Sequence, residues 1–496
     1  MADSNSPIEH VFVLMLENRS FDHLFALSGI PGITAAKPND PEFSNELNGD
    51  TYYFTGNAPE QMPTDPLHGF DAVVEQLTTT GKFIYKQPYP ERNNGGFAAS
   101  YATTSTRENP LTKEQINWVM AGAVPSQIPA TIELAKSFTL CDHWYSSLPG
   151  PTWPNRFFLH GASSMGFDFS PTPKELLEWE DPFGGIQYSN GSVFDAMGHG
   201  NWRIYQDRRG PISGQIPNVG ALKGLSLFDV HNLKHLEHDL RKGYDKKYTF
   251  IEPAYGNILD NSYEGGTSQH PMDSLAGGDA LVAEVYNAIR NSPVWEKSLL
   301  LITYDEHGGF YDSQPPVPMP APGDYDPANP PYGGNGFDFT LSGVRVPAII
   351  VSPWAAKGAV DNTIYDHSSV AATLTELFGM KTLTDRDKAA NNLTPQLTDT
   401  CRTDCPQNIQ GAAMPSAVTE AEKPLSEHKS KQVLADRGKL GGAVHAIEKT
   451  LRDRGLKRNH QAQNIPKNGV FTMAEADAYL RKNMELIDQE RANHDA

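Results

Sequence analysis

Glu17-Asn18, directly after the apolar run 9–16, and Asp305-Glu306, directly after the run 298–304, each set oxygen-bearing side chains next to one another. Continuous apolar runs of this kind read as buried parallel strands, and chemistry gathers at the carboxyl ends of such strands. If the two strands are neighbours, four oxygen donors converge, a set that suits a divalent cation such as Zn²⁺, Mn²⁺ or Ca²⁺. His307 and His68 are candidates for further ligands or for phosphate contacts. Acidic residues at strand ends also serve as helix caps or stand in water, and residue type alone leaves both readings open. The segment 142–162 (DHWYSSLPGPTWPNRFFLHGA) is suited to presenting a hydroxyl. Gly150 and Pro151 fix the backbone before Thr152, and Pro154 is expected to hold Trp153 extended. A Thr hydroxyl becomes a useful nucleophile only when a cation or a base takes its proton, so Thr152 beside the oxygen cluster would complete one logic. A plain proline-rich turn fits the same spacing.

The elements that must position these residues are strands and helices in alternation. Besides 9–16 and 298–304, the run 346–352 and the shorter 248–253 read as strands, and 279–291 (DALVAEVYNAIRN) reads as a helix. This pattern predicts an α/β fold with a mostly parallel sheet flanked by helices. Three long segments of weak periodicity, 31–70, 164–225 and 312–342, are expected to be ordered covers, given their aromatic content. The tail from 413 differs in composition, with 14 Lys+Arg against 12 Asp+Glu. Helical patterns run over about 428–455 and 472–490, the second opening on a capping box at Thr472 to Glu475, with a linker at 456–470. The expected division is a catalytic region 1–412 and a helical C-terminal appendage 413–496.

The chain has 496 residues, and 41 Lys+Arg against 60 Asp+Glu leave a net charge of −19. A field of that sign argues against general nucleic-acid binding or attraction to an anionic membrane. No apolar stretch reaches the length of a spanning helix and no signal peptide is visible at the N-terminus, so a soluble protein is expected, either cytoplasmic or exported by a leaderless route. Cys401 and Cys405 in CRTDC could close a small loop, Cys141 stands alone, and the expectation is free thiols.

Five motifs in order carry a resemblance: Glu17-Asn18-Arg19-Ser20-Phe21-Asp22-His23; the turn Pro149 to Arg156, which includes Asn155; Ile251-Glu252-Pro253; Gln269-His270-Pro271; and the stretch Thr303 to Asp312. Over about residues 8–380 the sequence resembles the bacterial phosphoesterase family of phosphatidylcholine-preferring phospholipase C and acid phosphatase, within the alkaline-phosphatase-like superfamily. The resemblance implies phosphoryl transfer through a covalent phosphoenzyme, assisted by one or more divalent metal ions, zinc first, with calcium, manganese or iron as alternatives. It implies Glu17, Asn18, Asp305, Glu306 and Thr152 as metal ligands, with Thr152 also the nucleophile. It implies His68 and His270 as catalytic histidines, and His307, His367 and Asn155 as phosphate contacts or supports. Thr rather than Ser at 152 favours the phospholipase side of the family. The segment 256–269 departs from the family's acidic run, which puts the local loop shape in doubt, and His231, His235 and His238 compete for a further position.

The expected reaction is therefore hydrolysis of a phosphatidylcholine-type phosphodiester to diacylglycerol and a phosphorylated headgroup. The alternatives are a broad phosphomonoesterase, or a binding module whose tail engages a partner. The expected partners are a phospholipid substrate, with transient contact to a membrane surface and no nucleic acid. The aromatics Trp144, Tyr145, Trp153, Tyr188, Trp202, Tyr205, Tyr255 and Tyr263 are candidates for a cage around a choline ammonium.

Overall fold

The computed structural model describes residues 6–79, 81–170, 185–326, 334–419, 430–431, 439–456 and 472–495. An eight-stranded sheet forms the centre. Its strands are β1 (His10–Leu16), β4 (Thr139–Cys141), β5 (Trp202–Gln206), β6 (Val230–Asn232), β7 (Tyr248–Glu252), β8 (Ser298–Tyr304), β9 (Ala348–Val351) and β10 (Ala359–Asp361), while β2 (Ser44–Leu47) and β3 (Asp50–Tyr53) form a separate hairpin. The order across the sheet is β10-β4-β9-β8-β1-β7-β5-β6. β1 lies between β7 and β8 and is parallel to both, and every residue of β1 and β8 is buried. That double burial is why these segments read as unbroken apolar runs.

The expectation of a mostly parallel α/β sheet holds, with one exception of direction. β9 runs antiparallel to both β8 and β4. Its apolar run shows that it is buried on both faces and is silent about polarity, so Pro353-Trp354 leave the sheet at the edge opposite the carboxyl ends of β1 and β8. Arg345, three residues before this strand, is on the reactive edge instead, where its Nε donates to Asp312 Oδ1 at 2.7 Å. The segment 164–225, expected as a cover, contributes β5 to the sheet, and 31–70 contributes the hairpin.

A second correction concerns the turn at Thr152. Residues Thr152–Gly161 form a helix with Pro151 as N-cap, so Trp153 is helical and not extended. Pro154 is the third residue of that helix, where the backbone N–H has no intrahelical acceptor, so a proline there costs no hydrogen bond. The predicted helix at 279–291 is found as Leu275–Arg290.

The tail helices are Lys439–Asp453 and Met473–Asp495. Thr472 caps the second as expected, accepting from Glu475 N at 3.3 Å while its own N–H donates to Glu475 Oε2 at 2.8 Å. The parts of the tail at 420–429, 432–438, 457–471 and 496, and the segments 171–184 and 327–333 of the expected covers, lie outside the described residues. Leu440, Val444, Ile447, Tyr479 and Leu480 share a core with Ile216, Leu227, Tyr255 and Tyr263. Cys141, Cys401 and Cys405 are free thiols. No helix among the described residues is long and apolar enough to cross a membrane.

Candidate active site

Register builds the site. His10 pairs with Ser298 and Leu16 with Tyr304, so β1 and β8 end level and release Glu17-Asn18 and Asp305-Glu306 next to each other. Asn18 then takes a left-handed conformation (φ 56°), which Asn tolerates better than most residues. Its backbone N–H donates to Asp305 Oδ1 at 3.0 Å, and the Glu306 N–H donates to the same oxygen at 2.8 Å. The next residue after His307, Gly308, also has positive φ, and a Cβ there would lie 2.1 Å from the Asn18 carbonyl oxygen. Only glycine lets the two strand ends approach this closely.

Thr152 begins its helix on the far side of Asn18. Its hydroxyl donates to Asn18 Oδ1 at 3.4 Å, and the Asn18 amide nitrogen lies 3.4 Å from His68 Nε2. One turn along the same helix, Arg156 donates from Nε to Asp305 Oδ2 at 2.9 Å, lies 3.4 Å from Glu252 Oε2 through Nη1, and donates to the Leu16 carbonyl at 3.3 Å. The helix that carries Thr152 is thus fastened to β1, β7 and β8 at their reactive ends. Asn155 is fully engaged behind the turn, accepting from Ser147 N at 2.8 Å and donating to the Gly150 and Pro151 carbonyls at 3.0 and 3.1 Å.

The histidines divide into two groups. His68 and His270 face each other edge-on with ring centroids 6.1 Å apart, and His270 Nε2 is 3.7 Å from Asp65 Oδ1. His270 Nδ1 accepts from Met272 N at 3.3 Å, which leaves its Nε2 to carry a proton toward Asp65. Tyr263 stacks flat on His270 at 3.4 Å, and Arg19 holds the backbone beneath by donating to the Gln269 and His270 carbonyls at 2.6 and 3.2 Å. His367 and His307 are supports. Trp144 donates to His367 Nδ1 at 3.3 Å, so His367 Nε2–H donates to the Asp305 carbonyl at 2.7 Å, and burial lowers this ring's pKa to about 4. His307 Nε2 donates to Gln76 Oε1 at 2.8 Å. His231 is beside Arg203 on the edge strand β6, and His235 and His238 are exposed beyond it, so none of the three reaches the site.

Charge is unbalanced at the centre. Glu17, Asp305 and Glu306 have no solvent exposure. Burial raises the Asp305 pKa to about 7, with Arg156 opposing and Glu17 and Glu306 adding to the rise. Burial likewise raises Asp65 to about 6, with His68 opposing and Glu306 and Glu17 adding. Burial alone would lower His68, but the carboxylates of Glu306 and Asp65 outweigh it and lift its pKa to about 9. Glu306 Oε2 accepts from Gly308 N at 2.7 Å, while its Oε1 is buried without a hydrogen-bond partner. Buried carboxylates in excess over nearby cations, with an unbonded oxygen among them, are what a divalent cation neutralises. The donor set fits such an ion.

Asp65, Arg19, Arg156 and Tyr263 are members of this arrangement that the sequence reading did not assign to it. Asp65, His68 and His270 also place one ligand atom each within 4.8 Å of one another. Of the aromatics weighed for a choline cage, Trp144, Tyr145, Trp153, Tyr188, Tyr205 and Tyr255 are at most 3% exposed and have no surface left for a headgroup. Trp202 packs on Phe194 at 5.2 Å, which leaves Tyr263 against His270.

Residues 8–381 match the phosphoesterase family. Non-specific phospholipase C6 of Arabidopsis thaliana is 36% identical over 455 residues, covering 86% of this chain and 80% of that protein. Non-specific phospholipase C3 of the same plant is 33% identical over 426 residues, covering 82% and 76%. Phospholipase C A of Mycobacterium tuberculosis is 28% identical over 417 residues, covering 75% and 73%. Among solved structures, a protein in the alkaline phosphatase superfamily from Vibrio parahaemolyticus is 13% identical over 55% of this chain and 64% of that one, with a TM-score of 0.32, a likeness too slight to argue from. With the family's residues spanning both strand ends, the Thr152 helix and the paired histidines, the chain belongs to the phosphoesterase family and is a phosphoric ester hydrolase.

Proposed function

We propose that the protein is a phospholipase C that cleaves phosphatidylcholine-type phosphodiesters through a covalent intermediate on Thr152. The observation that carries this reading is the Thr152 hydroxyl, at the first residue of a helix and 3.4 Å from Asn18, which follows the buried Glu17 and donates its backbone N–H to the buried Asp305. Glu17, Asn18, Asp305, Glu306 and Thr152 would hold a divalent cation, and their all-oxygen chemistry suits Ca²⁺ or Mn²⁺ as well as Zn²⁺. When bound there, the ion supplies positive charge that eases ionisation of the Thr152 hydroxyl and draws charge from the phosphoryl oxygens.

The chain's own residues do the rest. The Thr152 hydroxyl gives up its proton to water, its oxygen attacks phosphorus, and the bond to the diacylglycerol oxygen breaks. His68, protonated at neutral pH by its carboxylate neighbours, gives the departing alkoxide its proton. His270 is oriented by Met272 N, Tyr263 and Asp65 to contact an equatorial phosphoryl oxygen through Nε2–H. The N-terminus of the Thr152–Gly161 helix favours the anion attached to its first residue. Water then attacks phosphorus, His68, now neutral, takes its proton, and the phosphorylated headgroup leaves as the Thr152 oxygen recovers a proton from water. Arg156, His367, His307 and Asn155 hold the reacting groups in place.

A net charge of −19 makes a zwitterionic headgroup easier to approach than an anionic one, which favours phosphatidylcholine. The division at 412/413 is proposed as one of sequence composition, because the tail helices share a core with residues 216–263. The test compares hydrolysis of a choline phosphodiester with that of a simple phosphomonoester, before and after chelation. Chelator-sensitive release of phosphocholine is expected, and turnover of the monoester alone would replace the phospholipase by a phosphatase.

A further inference from the structure

Among the described residues, Ile84 is the most exposed large hydrophobic side chain, at 62%, and its neighbour Tyr85 is exposed at 39%. Both stand on the loop 82–92, KFIYKQPYPER, which carries three cations, Lys82, Lys86 and Arg92, against one anion, Glu91, in a chain of net −19. The Lys86 ammonium lies 4.9 Å from the Tyr85 ring centre. The loop forms one side of an open groove of about 780 Å³, whose opposite side is the stretch 336–341. Tyr85 is seated there on Gly336, where a Cβ would come within 2.5 Å of its ring, so the exposed ring is held in position.

The floor beneath the groove belongs to the active site's own elements. Phe83 meets Phe70 edge-on at 5.2 Å, and Phe70 begins the helix Phe70–Thr78 two residues after His68. Phe70 also meets Phe337 at 5.4 Å, Phe337 meets Phe339 at 5.1 Å, and Phe339 meets Phe158, on the helix begun by Thr152, at 5.9 Å. An unbroken aromatic layer therefore joins the loop to the elements bearing both His68 and Thr152. Leu67, next to His68, is itself 44% exposed.

We propose that the loop 82–92 seats the protein on a phosphatidylcholine bilayer, with Ile84 and Tyr85 entering the interfacial layer and Lys82, Lys86 and Arg92 meeting lipid phosphates beside the mouth of the catalytic site. An aliphatic side chain in the acyl boundary, a Tyr at headgroup depth and flanking cations are the combination an interfacial segment uses. The cations are local, which matches a zwitterionic surface whose phosphates are near and whose average charge is zero. The choice of a bilayer over other occupants rests on the phospholipid reading above.

The test uses the full chain. Vesicle sedimentation with phosphatidylcholine vesicles is measured in a Thr152→Ala background with and without Ile84→Asp. Turnover of vesicles and of monomeric short-chain phosphatidylcholine is measured with the native Thr152, and melting curves verify that Ile84→Asp folds. Ile84→Ser provides a milder second variant. Vesicle binding and vesicle turnover are expected to fall at least about tenfold in Ile84→Asp, the scale of withdrawing one buried Ile side chain, with monomer turnover within about twofold. Unchanged vesicle binding, equal loss on both substrates, or self-association of the native chain that Ile84→Asp abolishes would each overturn the proposal. Ile84-dependent vesicle binding without phospholipid turnover would uphold the surface while sinking the phospholipase reading.

Discussion

Replacing Arg156 by Met removes the one guanidinium among the described residues that ties the Thr152 helix to the ends of β7 and β8. Arg156 is 2.9 Å from Asp305 and 3.4 Å from Glu252, with all three side chains at most 3% exposed. At the effective dielectric that describes protein sites, unit charges at those separations attract by about 6 and about 5 kcal/mol before desolvation is counted. Releasing the guanidinium from burial offsets much of this, so the net loss expected is the one typical of breaking a buried pair, about 3–5 kcal/mol. The loss falls on a cluster that also contains Glu17 and Glu306, and a divalent cation there would take over part of the compensation. Urea unfolding, read from the midpoint and slope, should therefore show the full loss in chelated protein and a smaller one at saturating cation. Turnover at saturating cation should fall as well, because the helix that presents Thr152 is no longer anchored. A loss below about 1 kcal/mol in the chelated protein, or the same loss with and without cation, would refute the assignment of Arg156 as the charge balance of this site.

Two further outcomes follow from the same geometry. In chelated protein, burial holds Asp65, Asp273, Asp305 and Asp312 near 6, 8, 7 and 7, well above the ordinary carboxylate value, so their contribution is full below that ordinary value and drains as pH rises through 6–8. His68, lifted to about 9, acts in the same direction, so the melting temperature of the chelated protein should fall from pH 6.5 to 8.5 while the gain from added cation grows; a flat or rising curve would contradict this. Gly442→Ala places a Cβ 1.8 Å from the Trp153 ring, and the overpacking should cost about 1–3 kcal/mol and lower kcat. Unchanged stability and kcat in that variant would make the tail an independent appendage.

The strand ends were legible because β1 and β8 are buried on both faces and stop abruptly at polar residues, a pattern that the sequence displays directly. The register that levels Leu16 with Tyr304 was not, because register is set by packing between segments almost three hundred residues apart. The direction of β9 was hidden for the same reason that its existence was plain, since a doubly buried strand carries no mark of polarity. Pro154 concealed the Thr152 helix, and with it Arg156. Once the helix is known, Arg156 is four residues beyond Thr152 and on the same face. Asp65, three residues before His68, is a second ionisable group in the same short stretch and so was within reach of the sequence. The roles of Tyr263 and Arg19 were hidden, because a ring stacked on His270 and a guanidinium holding its backbone are products of tertiary packing. The tail's composition marked it as different, yet Gly442 against Trp153 makes it a neighbour of the residue that follows Thr152.

Whether Thr152 carries the phosphoryl group is read by rapid acid quench of the full chain turning over a choline phosphodiester, followed by mass analysis of the peptide containing residue 152. A burst of product and a peptide heavier by one phosphorylcholine group at Thr152 are expected, both absent in Thr152→Ala. Undiminished turnover in Thr152→Ala, or a label on any other residue, would contradict this.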